Sequence, residues 1–352
     1  MNLDNMWDFA GLPQPKSIIV PYFINVSLPR GPFRVPSNQA PGSHDVTEDP
    51  PQGAKKGKDL SEEFSMEMKE AGISFVRAWF QWNFFEPKVS REGQSNFSFP
   101  LDDFVYYMNE AGIRIMGVIG NGYSRFLPEG LNLDDPSQYI SRLSESSRQI
   151  VRHYKDKIDL WQIENEPNWW REHYSTNWRK GGIWFKEGMR DSILGSLRNI
   201  VREESPNSKI VINLEADRPD TNWKFYSSYC DILGLDFYPN YSHSSPIDVS
   251  EFRLAEKVKN DTGLPVFIAE TGYPSGPSLF GYNETKQAEY VTKACDEALA
   301  IDSINAICIW RYCDSYWRSF PIQENHFGLL TQDGREKAAW TAYTSKIRQH
   351  GS

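Results

Sequence analysis

Eight times along this 352-residue chain a short apolar run, often β-branched, is followed by a segment whose apolar residues recur at helical spacing. The runs lie near 17–24, 73–82, 113–121, 158–165, 209–216, 231–238, 264–271 and 304–313. Helical segments follow at about 60–71, 101–111, 137–154, 184–203, 221–229, 249–261, 284–301 and 335–348. Several joints carry one signal, Ala-Gly-Ile at Ala71 and Ala111 and Thr-Gly-Leu at Thr262. A glycine there ends a helix in the left-handed region, and the next strand's first apolar residue follows. Eight strand–helix units predict an α/β protein, a (β/α)8 TIM barrel forming one domain over residues 1–352. A Pro/Gly-rich, charged stretch from Pro29 to Lys58 has no periodicity and reads as a long loop after the first strand. A doubly wound sheet is the competing topology. It would carry a glycine-rich phosphate loop after its first strand, and "FINVSLPRGPF" is not one.

Composition narrows the function classes. The formal net charge of −9 argues against a nucleic-acid or acidic-membrane surface, which needs clustered Lys and Arg. No apolar run is long enough to span a bilayer. The first residues lack a basic start followed by an apolar core, so no signal peptide is visible. Location stays open between the cytoplasm and secretion with a leader removed. The cysteines Cys230, Cys295, Cys308 and Cys313 show no CxxC spacing and read as buried thiols, and the histidines show no metal-ligand spacing. No metal or other cofactor is expected. Aromatic residues make up 14% of the chain, 12 of them Trp. They suit a large core, and flat rings also pack well against the C–H faces of sugars. Oligomeric state is not legible.

In a barrel the carboxyl ends of the strands converge on one face, where sites are built. Those tips carry Arg77 and Trp82, Asn165 and Glu166, Glu215, Tyr238, Glu270 and Trp310 in turn. Two carboxylates stand out. In "DLWQIENEPNWW" an apolar run breaks at Asn165-Glu166-Pro167, and in "LPVFIAETGYPS" another ends at Glu270-Thr271-Gly272. A carboxylate at the end of a buried strand costs stability unless it is paired or solvated in a cleft. Two such placements are better explained by a site than by folding. By strand alternation Glu164 shares a face with Glu166, either as a substrate contact or in a buried network. A core counter-ion is the alternative reading of Arg77, with Glu164 as its partner, and Glu215 is open between site and structure. Trp82, Trp169, Trp170 and Trp317 follow strand tips and are candidate stacking platforms.

"IENEPN" together with "FIAETGYPS" resembles the retaining glycoside hydrolases of clan A. The barrel pattern, Arg77 after "FV", the "DFYP" tip and the Trp of "IWRY" agree with it. The resemblance implies a β-glycosidase or β-glycanase acting on a carbohydrate substrate, of glucan, mannan, xylan or galactan type. It implies Glu166 as acid/base and Glu270 as nucleophile, with Arg77 and Tyr238 holding Glu270 ionised. Asn165 would bind the sugar 2-hydroxyl, and Trp310 would floor the site of cleavage. A transglycosylase using the same covalent intermediate, or a non-catalytic carbohydrate-binding barrel, would keep much of this pattern.

Overall fold

A computed structural model describes residues 23–26, 57–73, 75–89, 97–120, 127–132, 135–168, 187–218, 221–314, 322–331 and 334–350. Its strands are β1 (Phe23–Val26), β2 (Phe75–Trp79), β3 (Arg114–Ile119), β4 (Leu160–Ile163), β5 (Lys209–Glu215), β6 (Ile232–Phe237), β7 (Val266–Thr271) and β8 (Ile304–Trp310). They close into one barrel in chain order. The helices are α1 (Gly57–Glu70), α2 (Trp82–Phe85), α3 (Asp102–Glu110), α4 (Pro136–Tyr154) and α5 (Met189–Glu204). After them come α6 (Trp223–Ser227), α7 (Leu254–Thr262), α8 (Glu284–Ala300) and α9 (Ala338–His350).

The expected class and barrel are therefore present, with one difference in direction. β2 to β8 pair in parallel, whereas β1 pairs antiparallel with both β8 and β2. An apolar run of four residues specifies that a strand fills the gap between β8 and β2. It does not specify its direction, because either orientation satisfies the ladder hydrogen bonds. The first strand was also expected earlier, at 17–24; residues 17–22 and most of the expected long loop lie outside the described residues.

Local signals account for many of the boundaries. Gly72, Gly112 and Gly263 close their helices at φ of 80°, 74° and 74°, as the Ala-Gly-Ile and Thr-Gly-Leu joints required. Asp135 caps α4 by accepting from the amides of Ser137 and Gln138, with Pro136 at the first helical position. Asn283 caps α8 through the amide of Lys286. The cysteines are buried and free. Among the described residues no helix is long and apolar enough to cross a membrane.

The inside of the barrel is layered. Phe75, Met116, Leu160, Val211, Ile232, Phe267 and Ala306, one from each of β2 to β8, form a dry plug. Two residues further along β2, β4 and β5, and four along β6, the chain offers Arg77, Gln162, Asn213 and Asp236 to the same interior, each at most 1% exposed. On β7, alternation from Phe267 would turn Ala269 inward and Glu270 outward. The pairing slips there instead, with Leu235 opposite Ile268 but Asp236 opposite Glu270. This β-bulge re-aims Glu270 into the barrel. Glycine makes room beside it, since a Cβ on Gly234 would lie 2.7 Å from the Ala269 Cβ and 3.0 Å from the Asn213 Cα. Gly234→Ala should therefore cost about 1–3 kcal/mol of overpacking strain, read by chemical denaturation.

Candidate active site

Arg77 organises the polar layer above the plug. Its Nη1 donates to Glu270 Oε1 at 2.5 Å, its Nη2 to Asn165 Oδ1 at 2.7 Å and its Nε to Gln162 Oε1 at 2.6 Å. A guanidinium has donors only, so it dictates the orientation of both amides it meets. Gln162, accepting through oxygen, must donate through Nε2, and it does so to Glu164 O and Asn213 Oδ1, each at 2.7 Å. Asn213 then donates to Asn165 Oδ1 at 2.8 Å and Asp236 Oδ2 at 2.6 Å. With its oxygen committed below, Asn165 turns its Nδ2 outward, 3.3 Å from Glu166 Oε2.

The same amides hold an unusual backbone. Glu164 and Glu166 have φ of 60° and 44°, the left-handed region that non-glycine residues rarely enter. Such conformations persist where surrounding structure over-determines them, at about 1–3 kcal/mol each. Here Gln162 binds the Glu164 carbonyl, the Glu164 amide donates to Ile119 O at 2.8 Å, and the Glu166 amide donates to Asn213 Oδ1 at 3.1 Å. Beyond Pro167, Asn168 ties β4 to β5 by donating to Glu215 O and accepting from the Glu215 amide.

Glu270 is 6% exposed and gripped from two sides, by Arg77 and by the Tyr238 hydroxyl, which donates to Oε2 at 2.7 Å. Glu166 is partly exposed. Oxygens of Glu166, Asp236 and Glu270 all lie within 4.8 Å of one another. Three carboxyls would suit a divalent cation by donor type, but the Arg77 guanidinium already occupies a cation's place on Glu270. Removal of water raises the Glu166 carboxyl well above the ordinary carboxylate range; the charges of Glu270 and Glu215 add to this and Arg77 opposes it. Burial works against the Arg77 charge, but its neighbours, Glu270 first among them, outweigh it and its pKa rises. Burial and the Glu270 charge hold the Tyr238 phenol firmly protonated, fit to donate.

The structure thus gathers Arg77, Asn165, Glu166, Tyr238 and Glu270, with Trp310 partly exposed at the neighbouring tip of β8. The tips of β7 and β8 approach so closely that a Cβ on Gly272 would lie 2.3 Å from the Trp310 carbonyl. Glu215 sits at the end of β5 in an ion pair of 2.8 Å with Arg218, near enough for its charge to reach Glu166. Two expectations need correction. Glu164 does not share a face with Glu166, because β4 ends at Ile163 and the positive φ turns the residue. Its carboxyl lies against Gly120, whose added Cβ would come 2.7 Å from Oε1, and its charge is felt by Tyr139 of α4. Trp82 is no open platform. It is 2% exposed, packs edge-on against Tyr139, and donates its indole N–H to Glu86. Trp169, Trp170 and Trp317 lie outside the described residues. Gln162, Asn213 and Asp236 were not singled out in the sequence, although each is a polar residue between apolar neighbours in its strand.

No family model matches the chain. Solved structures similar to it include GH5_18 from Streptomyces cattleya in complex with GlcNAc, with a TM-score of 0.67 at 18% identity over 84% of this chain and 76% of that one. Native xylanase 10B from Thermotoga maritima gives 0.62 at 17% identity, over 82% and 90%. A GH2 β-galacturonidase from Eisenbergiella tayi bound to galacturonate gives 0.58 at 16%, and the match spans 47% of that longer chain. The neighbours are glycoside hydrolases of several families, and what they share with this chain at such identities is the barrel.

The charge network makes a graded prediction. Arg77→Ala leaves Glu270 buried without its cation and should cost about 3–5 kcal/mol of stability. Tyr238→Phe removes one hydrogen bond to the same carboxylate and should cost about 1.5–3 kcal/mol. Urea unfolding of the two variants checks the order.

Proposed function

We propose that the protein is a retaining glycoside hydrolase that cleaves β-glycosidic bonds of an oligo- or polysaccharide by double displacement. One observation carries the reading: two glutamates at the ends of β4 and β7 bring carboxyl oxygens within 4.8 Å of each other, and among the described residues the arginine contact falls on Glu270. Retaining enzymes set their carboxyls about 5–5.5 Å apart, whereas inverting enzymes leave about 6.5–9.5 Å for a water. The fold neighbours, a xylanase and a β-galacturonidase among them, make a carbohydrate the substrate class to test first.

In this reading the Glu270 carboxylate attacks the anomeric carbon while Glu166 gives its proton to the departing oxygen. Arg77 and Tyr238 both donate to this carboxylate and aim the attacking oxygen. Glu166, partly exposed and with a raised pKa, is the carboxyl suited to hold a proton at neutral pH. In the second step Glu166, now a carboxylate, takes a proton from water as the water attacks the anomeric carbon and Glu270 departs. Asn165 presents Nδ2 toward the space beside Glu166, where a sugar 2-hydroxyl can accept from it. Trp310, partly exposed at the β8 tip, offers a ring to the sugar face, and Glu215 with Arg218 borders Glu166 on the β5 side.

Glu270→Ala and Glu166→Ala, assayed on a panel of aryl β-glycosides and polysaccharides, should each lower turnover by about 10²-fold or more. Full activity in either variant would refute the assignment. The basic limb of the kcat/KM profile should report Glu166. Its proton is lost only above the ordinary carboxylate range, so activity should persist to higher pH than a free glutamic acid near 4.3 would allow.

A further inference from the structure

Asp236 is a third carboxyl in the barrel centre that this mechanism does not use. It is 1% exposed. Its Oδ2 accepts from Asn213, and the orientation of that amide is dictated from Arg77 through Gln162, so this oxygen is an acceptor by construction. Among the described residues its Oδ1 is buried and meets no donor, while the residue reaches oxygens of both Glu166 and Glu270 within 4.8 Å and is a side-chain hydrogen-bond neighbour of Glu166. The groups facing it include Glu166 from the β4 tip, Glu270 from β7, Arg77 from β2, Asn213 from β5, the Cys308 thiol from β8 and the Tyr238 phenol just past β6. Arg77 is the cation among these described residues, and it is bonded to Glu270.

We propose that Asp236 is a neutral carboxylic acid whose Oδ1–H follows the negative charge between Glu270 and Glu166 during turnover, a positioning residue serving both half-reactions. The proposal rests on the acid/base and nucleophile reading of those two glutamates. Before attack the charge is on Glu270, and the Asp236 hydroxyl points there. When the bond from Glu270 to the anomeric carbon forms, Glu270 becomes a neutral ester. The Glu166 proton leaves with the departing oxygen, so the charge now sits on Glu166. The Asp236 proton is not transferred; rotation of its hydroxyl redirects one hydrogen bond. Hydrolysis of the ester returns a water proton to Glu166 and the charge to Glu270, and the hydroxyl turns back. Burial and the neighbouring carboxylates, which raise the Asp236 pKa well above its usual range, agree with a retained proton.

Asparagine reproduces a neutral aspartic acid in this setting, with a carbonyl for Asn213 and an N–H for the two glutamates. Asp236→Asn should therefore keep kcat/KM within about tenfold and leave the basic limb in place. Asp236→Ala, lacking the donor that stabilises ionised Glu166, should lose about 10²-fold and move that limb upward by about one unit. An infrared carboxylic-acid carbonyl band at neutral pH should be present in the wild type and weakened in Asp236→Asn. An ionised Asp236 would give the reverse: Asp236→Asn would drop the limb by about one unit or more and leave the band unchanged. Either result, full activity in Asp236→Ala, or a loss of activity on chelation that added divalent cation restores, would overturn the proposal. The infrared result does not need turnover. Weakening of the band by Asp236→Asn in a protein that hydrolyses no glycoside would retain the neutral Asp236 while the glycosidase reading fails.

Discussion

A single buried guanidinium sets the geometry of the barrel centre. Arg77 carries only donors, and its hydrogen bonds to Glu270, Asn165 and Gln162 orient the groups they reach. Glu270 Oε1 is fixed as an acceptor, Asn165 must turn its amide nitrogen outward, and Gln162 must pass its own nitrogen to Asn213. Truncating such a centre is costly because the buried partners would be left uncompensated. The polar layer is therefore fully dependent on one residue of β2, while the apolar plug beneath it supplies the dry floor.

Against this fixed frame the chain stores local distortion where the chemistry would lie. The bulge on β7 turns Glu270 inward, and two left-handed residues at the end of β4 bring Glu166 round to meet it. Neither would form for its own sake. The left-handed residues are anchored by the buried amides of Gln162 and Asn213, which also meet Arg77 and Asp236, and Glu270 is anchored by Arg77 and Tyr238, so backbone shape and electrostatics are maintained by one network.

Much of the architecture was legible because it rests on period and punctuation. Strand–helix alternation, glycine joints and the carboxylates at two strand ends survive in a linear reading. The direction of β1 did not, since a four-residue run pairs either way. The inward aim of Glu270 was inferred from its motif, and simple alternation would have placed it outside. Glu164 shows the converse: alternation put it beside Glu166, and a positive φ sends it to Gly120 and Tyr139. Trp82 looked like a cleft wall because it follows a strand, but its helix turns it into the core. Gln162, Asn213 and Asp236 were readable in principle as polar breaks in apolar strands. What they do depends on a hydrogen-bond direction that begins two or more strands away.

The central claim is that Glu270 and Glu166 act in sequence through a covalent glycosyl intermediate, and its stereochemical consequence can be observed directly. Proton NMR of the first sugar released from an aryl β-glycoside, recorded before mutarotation, reads the configuration at the anomeric carbon. The account predicts that the β-anomer appears first and the α-anomer grows in later. First release of the α-anomer would contradict it.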